Sequence, residues 1–192
     1  YVAAIRAAQL GRKVALVERA EPGGVCLNWG CIPTKALLKS AQVYQYCRNA
    51  AHYGVQLDGE ARPDMEAIVA RSRTVAETMS KGVQFLLKKN AIDLLAGTGV
   101  LEEPGRVAVD GTEYEADHII LATGARPREM PFLPVDGEHV LTSKQALTLK
   151  RIPESIVVVG SGAIGCEFAW LYAALGSKVT VVEYLDRMLP LE

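Results

Sequence analysis

The sequence predicts an α/β fold in which one helix–strand unit is used twice, and three observations predict it. First, Leu10-Gly11-Arg12-Lys13-Val14-Ala15-Leu16-Val17-Glu18 aligns residue for residue with Leu175-Gly176-Ser177-Lys178-Val179-Thr180-Val181-Val182-Glu183, at one constant offset. In both copies an Ala-rich helix closes at a glycine, which takes φ > 0 without a Cβ clash. A buried β-branched run follows and stops at an acid. Second, Ile156-Val157-Val158-Val159 reads as a strand feeding Gly160-Ser161-Gly162-Ala163-Ile164-Gly165, a G-x-G-x-x-G turn that opens a helix. Third, Glu183 follows that turn at about the 20-residue spacing of an acid that binds ribose. G-x-G-x-x-G alone is weak. In this order of strand, glycines, helix, strand and acid it is a dinucleotide fingerprint, whose alternative is a glycine loop serving only as a turn.

The fold class that follows is two Rossmann-like dinucleotide-binding (FAD/NAD(P)-binding) domains, both truncated. Gly160 permits the tight turn, Gly162 lets backbone N–H groups approach a pyrophosphate, and Gly165 lets helix and strand pack closely. Glu183 is expected to accept hydrogen bonds from an adenosine ribose and to repel a 2′-phosphate, favouring NAD over NADP. Carried back by the repeat offset, Gly165 falls just before Tyr1. The first copy is therefore expected to lack its opening strand and glycine loop. The expected domains are residues 1–150, a first nucleotide-binding domain, and 151–192, the start of a second.

The remaining elements follow in order. The first copy keeps a helix over Tyr1–Leu10, a strand over Lys13–Val17, and Glu18. An apolar helix runs from Ala36 to about Ala50, with Cys47 expected in its core. Asp64–Asn90 reads as a long helix whose Met65, Ile68, Val69, Val75, Met79, Val83 and Leu86 recur near a 3.6 period; Met65 and Met79 are expected in the core. The apolar run Ile92-Asp93-Leu94-Leu95 leads to Gly97-Thr98-Gly99. Val107-Ala108-Val109-Asp110-Gly111-Thr112 signals a hairpin with a type I′ turn. His118–Ala122 reads as a strand running into Thr123-Gly124-Ala125, and the proline-rich stretch from Pro127 to Pro134 as a linker.

Composition narrows the function classes. The 192 residues carry 21 basic and 22 acidic side chains, a net charge of -1, which leaves no basic footprint for nucleic acid. Hydrophobic residues make up 49%, enough for a packed core. No apolar run approaches the ~20 residues of a membrane span. His52, His118 and His139 are scattered, so no zinc-ligand spacing arises. The opening Tyr1-Val2-Ala3-Ala4 has no initiator Met or signal peptide and reads as a truncation.

Chemistry concentrates in Gly23-Gly24-Val25-Cys26-Leu27-Asn28-Trp29-Gly30-Cys31-Ile32-Pro33-Thr34-Lys35. A bridge across so short a loop removes less unfolded-state entropy than the ~3 kcal/mol of a 15-residue loop, so stapling is a poor reason for it. Thiols near a helix N-terminus feel its dipole, which favours thiolate. The pair thus reads as poised for disulfide exchange; the plainer alternative is two buried cysteines that never bond. Cys166, after a fingerprint glycine, reads as structural.

This segment closely resembles the redox-active motif of the flavin-dependent pyridine nucleotide-disulfide oxidoreductases, and the resemblance extends over the whole chain. Within the family it looks most like the members that oxidise dihydrolipoamide on the lipoyl domains of 2-oxo acid dehydrogenase complexes. Glutathione and mercuric reductases resemble it in outline, with Val usual at Leu27 and Ile32 and a preference for NADP. The resemblance implies FAD and NAD as cofactors. It implies Cys26 as the interchange thiol and Cys31 as the thiolate against the flavin. It also implies Glu18 on the FAD ribose, Gly99 near the adenine, and Thr123, Gly124 and Ala125 against FAD. Lys35 would sit beside the flavin ring, with Glu167 across the flavin–nicotinamide contact and ion-paired to it; the alternatives are a solvated lysine and a first-turn acid. A homodimer is implied, whose proton-accepting His and its acidic partner lie outside this chain. So is a cytoplasmic location. The rival from another class is a redox-sensing nucleotide-binding module without turnover.

Overall fold

The computed structural model describes residues 1–189; Pro190 to Glu192, where the expected second domain segment closes, lie outside the described residues. Among the described residues seven strands form three separate small sheets. By contacts the chain divides into two units, the first comprising Tyr1–Asn28 and Ala76–Arg126, the second Trp29–Val75 and Pro127–Glu192.

In the first unit, α1 (Val2–Gln9) ends at Gly11 (φ +80°) and leads into β1 (Ala15–Glu18). β1 pairs in parallel with β2 (Asp93–Ala96), with Leu16 opposite Leu94 and Glu18 opposite Ala96. β3 (Gly99–Glu103), β4 (Arg106–Val109) and β5 (Thr112–Glu115) make an antiparallel meander. Its second turn has positive φ at both Asp110 (+47°) and Gly111 (+87°), as a type I′ turn requires. The buried apolar residues here are Ala4, Leu27, Ala76, Val83, Leu87, Ile92 and Val109.

The second unit repeats the strand–helix–strand order of the fingerprint. β6 (Ser155–Val159) feeds α6 (Ala163–Leu175), which ends at left-handed Gly176 (φ +109°) and returns as β7 (Lys178–Val182), parallel to β6. Phe168, Leu171, Tyr172 and Leu175 put one face of α6 into a core shared with Leu37 and Ala41 of α3 (Cys31–Arg48), with Met65 and Val69, and with Leu147. Tyr172 is fully buried; its ring stacks on Phe168 and its hydroxyl donates to the Ala146 carbonyl at 3.0 Å. Burial pushes that phenol up to about 12.

Three expectations need correction. The long helix forms, as α4 (Met65–Lys89), but its buried stripe is Met65, Val69, Ser72, Ala76, Ser80, Val83 and Leu87. Met79 and Leu86 are exposed, at 47% and 40%. Small side chains hold the middle of the stripe: Ser72 Oγ returns its proton to the Val69 carbonyl and Ser80 Oγ donates to the Pro22 carbonyl, so both hydroxyls are satisfied out of water. His118–Ala122 forms no strand, and Ile120 and Leu121 are 71% and 68% exposed. A strand exists only through its ladder, and no strand of the first unit pairs with this segment. Cys47 is half-buried, not core. Among the described residues no helix is long and apolar enough to cross a membrane.

The turn Asp136–Val140 shows how the loops are held. Asp136 Oδ1 accepts the N–H groups of Glu138, His139 and Val140, each at 2.8 Å. The Val140 N–H above all, then those of Glu138 and His139, hold the carboxyl down at about 2 from 3.8. A depressed folded pKa stabilises fully above the unfolded value and loses that contribution as pH falls through the folded one. Amide-exchange protection at Glu138, His139 and Val140 is therefore expected to stay constant above about pH 4 and to fall away toward pH 2.

Candidate active site

Cys26 lies in α2 (Gly24–Trp29) and Cys31 opens α3, with Gly30 between the helices as N-cap. Both sulfurs are disulfide-bonded and both residues are exposed. The plainer alternative of two buried, unbonded cysteines is thus excluded. Pro33 is fully buried in the first turn of α3, where the missing N–H leaves no intrahelical bond unmade. One residue on, Thr34 turns both its N–H (3.0 Å) and its hydroxyl (2.7 Å) onto the Gly30 carbonyl, fixing the start of the helix.

The approach to Cys26 is held by Asn28, a residue not singled out from the sequence. It is 3% exposed, and its Nδ2 donates to the carbonyls of Gly24 (3.0 Å), Pro22 (3.2 Å) and Glu21 (3.3 Å). Pro22 and its neighbours cannot be satisfied by a helix that has not yet begun, so the amide does this. Asn28→Ala is expected to cost about 2 kcal/mol of stability, because three carbonyls, that of Pro22 in a buried bond, lose a donor; chemical denaturation of wild type and variant measures it. Its neighbour Trp29 carries two cations over its ring, the Arg73 guanidinium at 3.9 Å and the Lys144 ammonium at 4.4 Å from the centroid. Such contacts immobilise an indole against helix α4 and the Ser143 turn.

Lys35 stands one helical turn after Cys31, on the same face of α3. Its Nζ donates to Glu167 Oε1, so the ion pair expected from the sequence is present. The pair is partly exposed, 61% at the lysine and 27% at the glutamate, so it orients more than it stabilises. Leu38, Lys39, Gln42, Cys166 and Trp170 line a cleft of about 470 Å³ around it. Cys166 donates its thiol to the Ser161 carbonyl at 3.2 Å.

The glycine loop fits a dinucleotide. Gly160 has φ +98°, a backbone that favours glycine, and its N–H donates to the Val182 carbonyl at 2.8 Å. A Cβ on Gly162 would meet nothing within 4 Å, so open space stands beside this backbone. A Cβ on Gly165 would lie 2.1 Å from the Gly160 carbonyl oxygen, which no packing tolerates. Glu183 ends the motif with both carboxylate oxygens engaged: Oε1 accepts the N–H of Tyr184 (2.8 Å) and Leu185 (2.9 Å), Oε2 the N–H and hydroxyl of Ser161 (2.7 Å each). These bonds, led by Leu185 and then the Ser161 hydroxyl, bring its carboxyl down to about 2. It is ionised throughout the physiological range.

On the first copy, Glu18 ends β1 and accepts the Ala20 N–H at 2.9 Å. Gly99 opens β3 where a Cβ would sit 3.2 Å from Val17 Cγ1. Thr123, Gly124 and Ala125 are exposed in an irregular segment, with Gly124 at φ +82° and nothing near its missing Cβ. These residues offer an acid and open backbone of the kind a second dinucleotide uses.

Comparison with known proteins finds similar sequences and similar structures. The profile of the pyridine nucleotide-disulphide oxidoreductase family matches residues 1–192. The chain is 52% identical over 197 residues to a dihydrolipoyl dehydrogenase of Chlorobaculum parvum, covering 100% of this chain and 42% of that protein. With the dihydrolipoyl dehydrogenase of Rhizobium etli it shares 47% over 212 residues, again 100% of this chain and 44% of the relative. Among solved structures, LpdA of Mycobacterium tuberculosis superposes with a TM-score of 0.87 at 32% identity, over 98% of this chain and 42% of that one. The HOCl-induced flavoprotein disulfide reductase RclA of Escherichia coli gives 0.82 at 30%, over 98% and 40%. The chain thus spans less than half the length of each of these relatives.

Proposed function

The chain belongs to the pyridine nucleotide-disulphide oxidoreductase family, and from that premise we propose that it is the disulfide-bearing, nucleotide-binding part of an enzyme that oxidises protein-bound dihydrolipoamide and reduces NAD+. The observation that carries this reading is an exposed Cys26–Cys31 disulfide at the mouth of a helix, in a chain whose second unit has a glycine loop shaped for a pyrophosphate. Residues 1–150 are read as the FAD domain and 151–192 as the start of the NAD domain. The substrate is the lipoyl domain of a 2-oxo acid dehydrogenase complex, and the working form is a cytoplasmic homodimer.

The chain's own part is thiol exchange and positioning. A thiolate of the dithiol attacks the Cys26 sulfur, and the Cys26–Cys31 bond breaks with its electron pair leaving on Cys31. The N-terminus of α3 stabilises that thiolate. The second substrate thiol gives up its proton and displaces Cys26, so the substrate departs as a cyclic disulfide and the cysteine pair is left reduced. FAD, when bound, supplies the two-electron relay from that dithiol to NAD+. Glu18 would hold the FAD ribose, the backbone at Gly99 would approach the adenine, and the turn Thr123, Gly124 and Ala125 would lie against FAD. Gly160, Gly162 and Gly165 admit the NAD pyrophosphate, and Glu183 accepts its adenosine ribose hydroxyls. Lys35 and Glu167 fix each other and would stand beside the flavin ring and the nicotinamide when these are bound.

Steady-state assays of the full-length protein test this. NAD+ with dihydrolipoamide is expected to exceed NADP+ with dihydrolipoamide and NADPH with glutathione by about a hundred-fold or more, since one misplaced charge at the ribose is worth several kcal/mol. Faster turnover with glutathione and NADPH would replace this reading by that of another disulfide reductase. No turnover with either would leave the redox-sensing module.

A further inference from the structure

Ser161 occupies the variable position of the first G-x-G, where nothing in the fingerprint demands a hydroxyl. It is nonetheless fully buried, at 0% exposure, and every polar atom it carries is used. Its carbonyl accepts from Cys166 Sγ and from the Leu189 N–H, each at 3.2 Å. Its N–H and its hydroxyl both donate to Glu183 Oε2. Among the described residues, the other carboxylate oxygen is bonded only to Tyr184 and Leu185, the next two residues of the same turn. The donors differ in what they accomplish. The Tyr184 and Leu185 bonds shape the loop after β7 and move with it. The two Ser161 bonds alone tie the carboxylate to the glycine loop, and the hydroxyl is the only one of the four donors that a side-chain substitution removes.

We propose that Ser161 is a specificity-determining positioning residue: its buried hydroxyl holds the Glu183 carboxylate at the glycine loop, so that selection of NAD over NADP depends on the Ser161–Glu183 bond. This rests on the NAD-linked reading above. Ser161 is fully buried whereas Glu183 is half-buried, so the glutamate keeps exposed surface that a ribose can reach. Without the hydroxyl, the Ser161 N–H alone ties the carboxylate to the glycine loop, and a glutamate with three rotatable bonds is less tightly restricted there. It then meets the ribose hydroxyls less often and no longer stands where a 2′-phosphate must go. Losing the hydroxyl therefore weakens binding of the dinucleotide without the phosphate and relaxes exclusion of the one that has it.

The test is equilibrium titration of the full-length, FAD-loaded protein with NADH and with NADPH, followed by nucleotide fluorescence, alongside steady-state turnover. Ser161→Ala is expected to raise the NADH Kd about ten-fold, the scale of one hydrogen bond to a charged group, and to leave the NADPH Kd unchanged or lower. The KM for NAD+ rises by the same factor and kcat stays within about two-fold. In a Glu183→Gln background, Ser161→Ala adds less than about two-fold, because its effect passes through the carboxylate. Ser161→Gly, which adds no volume in the buried loop, gives the same pattern should the alanine variant fail to fold. Equal loss for both nucleotides, loss of kcat with KM unchanged, or unaltered Kd values in both variants would overturn the assignment. Wild-type protein that binds neither nucleotide would instead remove the NAD-linked reading, and the inference with it.

Discussion

Replacing either sulfur, by Cys26→Ser or Cys31→Ser in the full-length protein, is expected to lower dithiol-dependent NAD+ reduction on the order of a thousand-fold or more, because no disulfide remains to form the covalent intermediate. The fold is expected to survive. The disulfide closes a loop of only four intervening residues, so breaking it returns little entropy to the unfolded chain. The surrounding turn is held by other means: Asn28 on three carbonyls, Thr34 on Gly30, and Pro33 buried in the first turn of α3. Thermal unfolding should thus shift by no more than a few degrees while turnover vanishes. The opposite pattern, retained turnover with a large loss of stability, would make the bond a staple and not a redox centre. The two variants separate the sulfurs as well: with Cys26→Ser the remaining Cys31 thiol stays on the flavin side of the proposed exchange, whereas Cys31→Ser leaves a Cys26 thiolate able to open the cyclic disulfide product, forming a mixed disulfide and one free substrate thiol.

The second large effect is Gly165→Ala. A Cβ there would stand 2.1 Å from the Gly160 carbonyl oxygen, and both atoms belong to backbone that a parallel strand and a buried helix hold in place. Neither can retreat without separating β6 from α6, whose Phe168, Leu171 and Tyr172 fill the core of the second unit. The expected cost is more than about 3 kcal/mol, at or beyond the upper range of overpacking, measured by denaturant unfolding. Gly162→Ala makes the control. Its φ of -67° suits any residue and its Cβ would touch nothing, so stability should change by less than about 1 kcal/mol. The added methyl stands where the pyrophosphate approaches, so NADH affinity should nevertheless fall, by roughly ten-fold. Two glycines of one motif are thus expected to fail in different ways.

Much of this was legible in the sequence because it rests on backbone geometry that few residues can adopt. Gly11, Gly176 and the Asp110-Gly111 turn punctuate the chain where φ must be positive, and the β-branched runs between them have no other use than strands. The Lys35–Glu167 pair was reachable by resemblance alone; the two residues lie far apart in sequence and no spacing joins them. What escaped was tertiary. His118–Ala122 has the composition of a strand, yet composition cannot supply a neighbouring ladder. The stripe of α4 runs through Ser72, Ala76 and Ser80 because small residues let neighbouring backbone come close, and hydropathy periodicity ranks Val75 and Met79 above them. Asn28 and Ser161 look like ordinary polar loop residues until their partners are seen, three carbonyls for one and a carboxylate for the other.

In the proposed reaction the Cys26–Cys31 bond opens and closes as electrons pass from a dithiol toward a pyridine nucleotide. Anaerobic addition of dihydrolipoamide to the full-length, FAD-loaded protein, with alkylation mapped by mass spectrometry and the flavin spectrum recorded in parallel, tests it most directly. Cys26 and Cys31 are expected to become alkylated together, with a long-wavelength absorbance band growing in step, and NAD+ is expected to return both signals to the oxidised state. A pair that stays oxidised under excess dithiol, or that opens while the flavin spectrum does not move, would contradict it.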